Sequence, residues 1–212
     1  MSKTATDKVS QTLQGFETLD AGELVDCLED LVRHDSDEVL ILDLTNLKPV
    51  DPGNIDEVSR WEKALRRFER SHRTTIAILG PNTNGKAIDL ALACDFRIAG
   101  PQTTLAVRHR GQVWPSTALY RLVLLVGLAS SRRLVLLDDE WNADDALSRG
   151  LVDVVANEPH IAAQALASRV GGIADLHNIR QLMCEATTST LDDALGVHLA
   201  ALDRSIRRRA TS

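Results

Sequence analysis

Apolar positions along this chain recur with two spacings, and their alternation predicts a layered α/β domain. Between Asp20 and Asp35, Leu24, Val25, Leu28, Leu31 and Val32 fall three and four residues apart, which marks a helix with one buried face. Asp20 followed by Glu23 has the form of a capping box at its start. Glu38 to Leu44 (EVLILDL) is a short, unbroken apolar run, suited to a strand buried on both faces. Turn residues fill TNLKPVDPGN. Helical spacing then returns from Ile55 to His72, with Val58, Trp61, Leu65 and Phe68 on one side. Thr74 to Leu79 predicts a second buried strand. After the loop GPNTNGKA come a short helix (KAIDLALACD), short strands (FRIAG, TTLAV) and two helices (STALYRLVLLVG, ASSRRLVLL). NADDALSRGLVDVVA predicts a helix, a stop at Gly150 and a strand. The tail from Pro159 is mostly helical, with a break at Gly171-Gly172. Residues 1–15 are polar and predict no element. Helices alternating with buried strands predict a parallel sheet covered by helices.

Composition narrows the partners. A formal charge of −6 argues against nucleic acid, because phosphate contacts need a basic face. Aromatic residues at 3 % leave little for stacking on bases. Cys27, Cys94 and Cys184 are odd in number, far apart and without a C-x-x-C pair, which suits reduced thiols rather than a disulfide framework or a zinc site. The polar start MSKTATDKVSQTLQ has no apolar leader, and no run approaches the ~20 apolar residues of a membrane span. The expectation is a cytoplasmic protein with no membrane contact and no metal.

Gly80 to Ala87 (GPNTNGKA) raises a nucleotide-binding alternative. It reads G-x-x-x-x-G-K, but the next residue is Ala87, and the P-loop needs a Ser or Thr hydroxyl there to hold magnesium. RLVLLDDE (Arg133 to Glu140) imitates a Walker B strand, yet Ser130, Leu134 and Leu137 are spaced as well for a helix. A P-loop nucleotide binder therefore remains only a remote alternative.

The longer stretches IDLALACDFRIAGPQTTLAV and WPSTALYRLVLLVGLASSRRLVLLDDEWNADDALSRGLVDVV resemble the enoyl-CoA hydratase/isomerase, or crotonase, superfamily. Leu90 to Ala99, Trp114-Pro115, Tyr120-Arg121-Leu122 and Ala143 to Val152 carry the likeness, which covers about residues 20–157. The resemblance implies the crotonase (ClpP-like) α/β fold of repeated β-β-α units with C-terminal helices. It divides the chain into a crotonase-like core (1–157) and a C-terminal helical region (158–212). It also implies a trimer or hexamer, or a mixed oligomer with other pathway enzymes. The implied ligand is an acyl-CoA or carrier-bound thioester, with coenzyme A entering as part of the substrate and no separate cofactor. In this family two backbone N–H groups hold the thioester oxygen as it becomes an enolate, one of them at a helix N-terminus where the amide dipoles favour negative charge. By alignment that donor is Lys86 N–H, with Gly85 beside it, and the nearest position for the other is Asp51.

The chain departs from the family at the chemistry. The usual run of glycines is Asn84-Gly85-Lys86-Ala87. The two glutamates of the hydratases align with Asp89 and His109. An Asp with a tuned pKa or a His near neutral pH can move protons. Asp89 could equally be a first-turn acid serving the helix dipole, and His109, between Arg108 and Arg110, could be a solvated loop residue or a phosphate contact. No N-terminal strand pair is apparent before the first helix. The shortened start, the altered loop and WPSTALYRL are similar to short crotonase-like proteins of glycopeptide-antibiotic clusters, which assist a polyketide synthase that makes dihydroxyphenylacetyl-CoA. Two function classes stay open: an enzyme acting on thioesters by hydration, dehydration or isomerisation, and an auxiliary subunit that keeps the fold without the chemistry. Among the remaining residues, the Lys86 side chain is expected to face solvent and Cys94 to sit in the core. Asp43 is expected to need a structural partner, and Asp95 and Arg97 to bond structurally. Trp114-Pro115 should wall the groove or pack as core, and the arginines at 204 and 207–209 should end the last helix.

Overall fold

The computed structural model describes residues 11–14, 16, 19–33, 38–48, 53–108, 112–137 and 139–210. Five parallel strands form the main sheet: β1 (Gln11–Leu13), β2 (Leu40–Asp43), β3 (Thr75–Ile78), β5 (Phe96–Ala99) and β8 (Val154–Val155), side by side in that order. A smaller sheet joins β4 (Asn82–Thr83), β6 (Thr104–Leu105) and β7 (Trp141–Asn142), with β6 parallel to β4 and antiparallel to β7. Each β-β-α unit sends one strand to each sheet. β3 and β4 lead into α3 (Lys86–Ala93), and β5 and β6 lead into α4 (Ala118–Leu136).

The period of two along β2 and β3 decides what covers the main sheet. Leu40, Leu42 and Ala77 face a core shared with α1 (Ala21–Arg33), α2 (Ile55–Glu69) and α3. Val39, Ile41, Ile76 and Ile78 face the other way, onto Ala163 and Ala167 of α6 (Pro159–Gly171). The C-terminal helical region thus starts as a covering layer of the sheet. It continues as α7 (Leu176–Glu185) and α8 (Leu191–Ala210), with α5 (Ala143–Ser148) lying between β7 and β8.

Local chemistry sets the helix ends. Asp20 and Glu23 form the expected capping box: Asp20 N–H donates to Glu23 Oε2 at 2.8 Å and Glu23 N–H to Asp20 Oδ1 at 2.9 Å. Asn54 caps α2 by accepting from the amides of Asp56 and Glu57. Gly127, at φ 76° and ψ 162°, breaks α4 between the two helices predicted there. Arg133 to Leu136 lie in α4, so the Walker B imitation is helical.

One expectation is corrected. Gln11–Leu13 is a strand in parallel register with Leu40–Leu42, although its polar sequence gave no such signal. Three residues at a sheet edge draw on the neighbour's backbone groups rather than on a pattern of their own. Within the loop from Gly80, Asn82 and Thr83 form β4. Gly80 itself serves packing. A Cβ there would lie 2.4 Å from the backbone oxygen of Thr45. Gly80→Ala is therefore expected to cost about 1–3 kcal/mol in a denaturant melt, as overpacking against an unyielding backbone does. An unchanged midpoint would show that the Thr45 turn can move aside.

The structural residues fall as expected. Asp43 Oδ1 accepts from the amide (3.0 Å) and hydroxyl (2.6 Å) of Thr45, and its other oxygen lies 3.6 Å from His160 Nε2. Cys94 is buried, and burial pushes its thiol up to about 12. Asp95 Oδ2 accepts from the amide and hydroxyl of Thr75, while Oδ1 accepts from Arg180 at 2.5 Å. In α8, Arg207 pairs with Asp203 and Arg208 with Asp175.

Candidate functional site

Gly85 gives α3 its entry. It takes φ 52° and ψ −132°, a conformation that costs a side-chain-bearing residue and that glycine adopts freely. No side chain caps this helix start. Ala87 N–H is spent on Asn84 O and Asp89 N–H on Gly85 O. Among the described residues, nothing accepts from the Lys86 amide. Gly85 and Lys86 both border a cavity of about 400 Å³ between α2, α3 and the segment before α4.

The cavity walls are mainly apolar. Ile55, Val58 and Trp61 come from α2, Val107 from beyond β6, and Trp114-Pro115 from the approach to α4, so the groove-wall reading of that dipeptide holds. Trp61 carries two polar partners at once. Its indole N–H donates to Asp89 Oδ2 at 3.2 Å, and Lys86 Nζ lies 4.2 Å from its ring centroid in a cation–π contact. Lys86 and Asp89 are three apart on α3 and so share a face. Lys86 is only 7 % exposed, which corrects the expectation of a solvent-facing side chain. The apolar bulk of Trp61 shelters its stem, and the ring face attracts its charge.

Burial sets the protonation chemistry. Desolvation raises the Asp89 carboxyl from 3.8 to about 6, and Glu62 adds to that rise. The Trp61 hydrogen bond, Lys86 and Arg121 pull the other way. Desolvation also lowers the Lys86 ammonium, against the acids Asp89, Glu62 and Glu57. Asp89 is thus poised between ionised and neutral close to neutral pH, where a proton-moving group works best.

A polar clip fixes the cavity mouth. Glu62 accepts from the Thr117 amide at 3.1 Å and from the Thr117 hydroxyl. Arg121, 7 % exposed, donates to Thr117 Oγ1 at 2.6 Å and to Glu69 Oε2 at 3.1 Å. The clip ties α2 to the start of α4 and holds Trp114-Ser116 over the cavity. Sequence reasoning placed Trp61 on the apolar face of α2 and missed Glu62 as part of the site. Its partners lie 55 residues away, and no local spacing signals them.

The structure therefore brings together Gly85, Lys86 and Asp89. Asp51 and His109 lie outside the described residues. Among the described residues, no group of three His, Cys, Asp or Glu could hold a metal, and no helix is long and apolar enough to cross a membrane.

No family model matches the chain. In sequence it is similar to an enoyl-CoA hydratase of Amycolatopsis orientalis, 44 % identical over 158 residues, which is 73 % of each chain. It also resembles a protein described as probable enoyl-CoA hydratase 2, mitochondrial, of Arabidopsis thaliana, 32 % identical over 60 % of this chain and 44 % of that one. In fold it is similar to a candidate enoyl-CoA hydratase of Thermobifida fusca YX solved with CoA (TM-score 0.82, 18 % identity, 96 % of this chain and 91 % of that one). It is likewise similar to DspI of Pseudomonas aeruginosa (TM-score 0.78, 21 % identity, 93 % and 91 % covered).

Proposed function

Because the chain belongs to the enoyl-CoA hydratase/isomerase (crotonase) superfamily, we propose that its cavity receives an acyl-CoA thioester and holds the thioester oxygen on the amide of Lys86, with Gly85 beside it. One observation carries the reading: an uncapped helix start, opened by a positive-φ glycine, borders an apolar cavity that also holds a desolvated acid. Negative charge developing on the thioester oxygen is stabilised by the fixed Lys86 N–H and the dipole behind it, in a site poor in water. Asp89 moves the proton that enolate formation releases or returns. Asp51 as the second oxygen donor and His109 as the second proton-moving group rest on the family alignment. The overall reaction is hydration, dehydration or double-bond isomerisation.

Proline tests the amide directly. At the first helical position proline is tolerated and lacks the N–H. Lys86→Pro is expected to lose about a hundredfold or more in turnover of crotonyl-CoA or an arylacetyl-CoA, the usual loss for one oxyanion donor. The loss in Lys86→Met, which keeps the amide, should be smaller. Equal losses in the two variants would remove the amide from the mechanism, and a wild type that binds no CoA thioester in calorimetry would remove the thioester.

A supporting-subunit reading is favoured by a second observation. Tyr120, Leu124 and Leu128 of α4 and Leu195, Leu199 and Leu202 of α8 leave apolar side chains half or more exposed, more than a solitary subunit ordinarily shows. On this reading the chain acts in the cytoplasm as a partner of other pathway enzymes, including a polyketide synthase that makes an arylacetyl-CoA. The 44 % identity to the Amycolatopsis orientalis protein is compatible with either role. Sedimentation of the isolated chain tests what covers these faces: a stable trimer or hexamer supports self-association, and a monomer supports a missing partner.

A further inference from the structure

The Lys86 side chain is a charged group of the cavity wall to which the reading above gives no role. It is 7 % exposed, yet no hydrogen bond or ion pair to its Nζ occurs among the described residues. Its contact is the face of Trp61, at 4.2 Å. The ammonium lies at the cavity, and it has three donors and no acceptor capacity. The cation–π contact attracts its charge without occupying the N–H groups in directed bonds. The acids whose charge acts on Lys86 are bonded to other groups: Asp89 Oδ2 to Trp61, Glu62 to Thr117 and Glu57 to Gly53 and Asn54.

We propose that the Lys86 ammonium is a specificity-determining group that donates to a second carbonyl oxygen on the acyl part of the thioester, so that the preferred ligand is an oxoacyl thioester and not a plain alkyl one. The proposal rests on the thioester reading above. A carbonyl fits because it only accepts, as the ammonium only donates. It also fits because it is neutral. Asp89, Glu62 and Glu57 already surround Lys86 with negative charge, and a further carboxylate would enter against them. Lys86 thus contributes twice, its amide to the thioester oxygen and its side chain to the next oxygen along the acyl group. Trp61 holds that side chain in the cavity and off the solvent.

Calorimetric binding of acetoacetyl-CoA and butyryl-CoA, which have the same four-carbon acyl length, tests this. The wild-type protein is expected to bind acetoacetyl-CoA about tenfold or more tightly, the usual worth of a hydrogen bond to a charged group. In Lys86→Met, whose unbranched side chain keeps the packing on Trp61 and whose backbone keeps the amide, the ratio should fall to about one. Lys86→Arg, which keeps donors, should hold part of the preference. Equal binding of the two ligands to wild type, or an undiminished ratio in a folded Lys86→Met, overturns the proposal and leaves the thioester reading intact. Tighter binding of malonyl-CoA than of acetoacetyl-CoA overturns it in favour of an anionic acyl group. Binding of none of the three overturns both the proposal and the thioester reading beneath it.

Discussion

Asp89→Asn is expected to make the protein more stable at pH 8 while abolishing most of its thioester turnover. The two effects share one cause. Burial holds the Asp89 carboxyl at about 6 against an ordinary 3.8. Between those values the folded protein binds the proton that the unfolded chain releases. Stability contributed by protonated Asp89 is therefore complete below about pH 4, declines as the pH rises through about 6, and is gone at pH 8. A shift of about two units corresponds to about 3 kcal/mol. Asparagine has nearly the same shape, still accepts from the Trp61 N–H and carries no charge to desolvate. Its advantage should appear in urea melts at pH 8 and vanish near pH 4. Turnover should fall by about 10²–10⁴, the typical contribution of a positioned acid or base, and the limb of the wild-type pH profile that rises through about 6 should disappear. An asparagine variant with near wild-type turnover would sink the proton-moving role. One with no stability gain at pH 8 would show instead that water reaches the carboxylate.

The same residue marks how far sequence could be read. The amphipathic spacing of α1 and α2, the capping box at Asp20 and the doubly buried β2 and β3 are local patterns, and each appears where the spacing places it. The break at Gly127 and the helical nature of RLVLL were equally local. Asp89 was legible as a candidate from its place in the motif. Its elevated pKa was not, because that depends first on burial by elements distant in sequence and then on the charge of Glu62 on α2. Lys86 was misjudged for the same reason: nothing within α3 announces an aromatic face on α2 that would draw the side chain inward. Strands β4 and β7 are two residues long and carry no periodicity of their own; their partners define them. Asp51 and His109 remain inferences from the motif, since both lie outside the described residues.

Removing the guanidinium of Arg97 should be the most destabilising single change in the scaffold behind the site. Arg97 is 3 % exposed and bonds in every direction. Its Nε donates to Leu151 O at 2.6 Å, Nη1 to Cys94 O at 2.8 Å, and Nη2 to Asp95 O at 3.3 Å and Asp153 Oδ2 at 3.1 Å. Cys94 ends α3, so the cation also sits at the favourable pole of that helix. Leu151 and Asp153 lead into β8. One side chain therefore joins the C-terminal end of α3 to the last strand of the main sheet. In Arg97→Met the carbonyls lose their donor and Asp153 loses its counter-charge, a cost of about 3–5 kcal/mol. At about 2–4 °C per kcal/mol for a chain of this size, the melting temperature should fall by roughly 10 °C. Arg97→Lys keeps the charge but cannot reproduce the planar fork, and should recover only part of the loss. A methionine variant within about 1 kcal/mol of wild type would mean that water replaces the guanidinium at these carbonyls and that α3 is held in place by its apolar face alone.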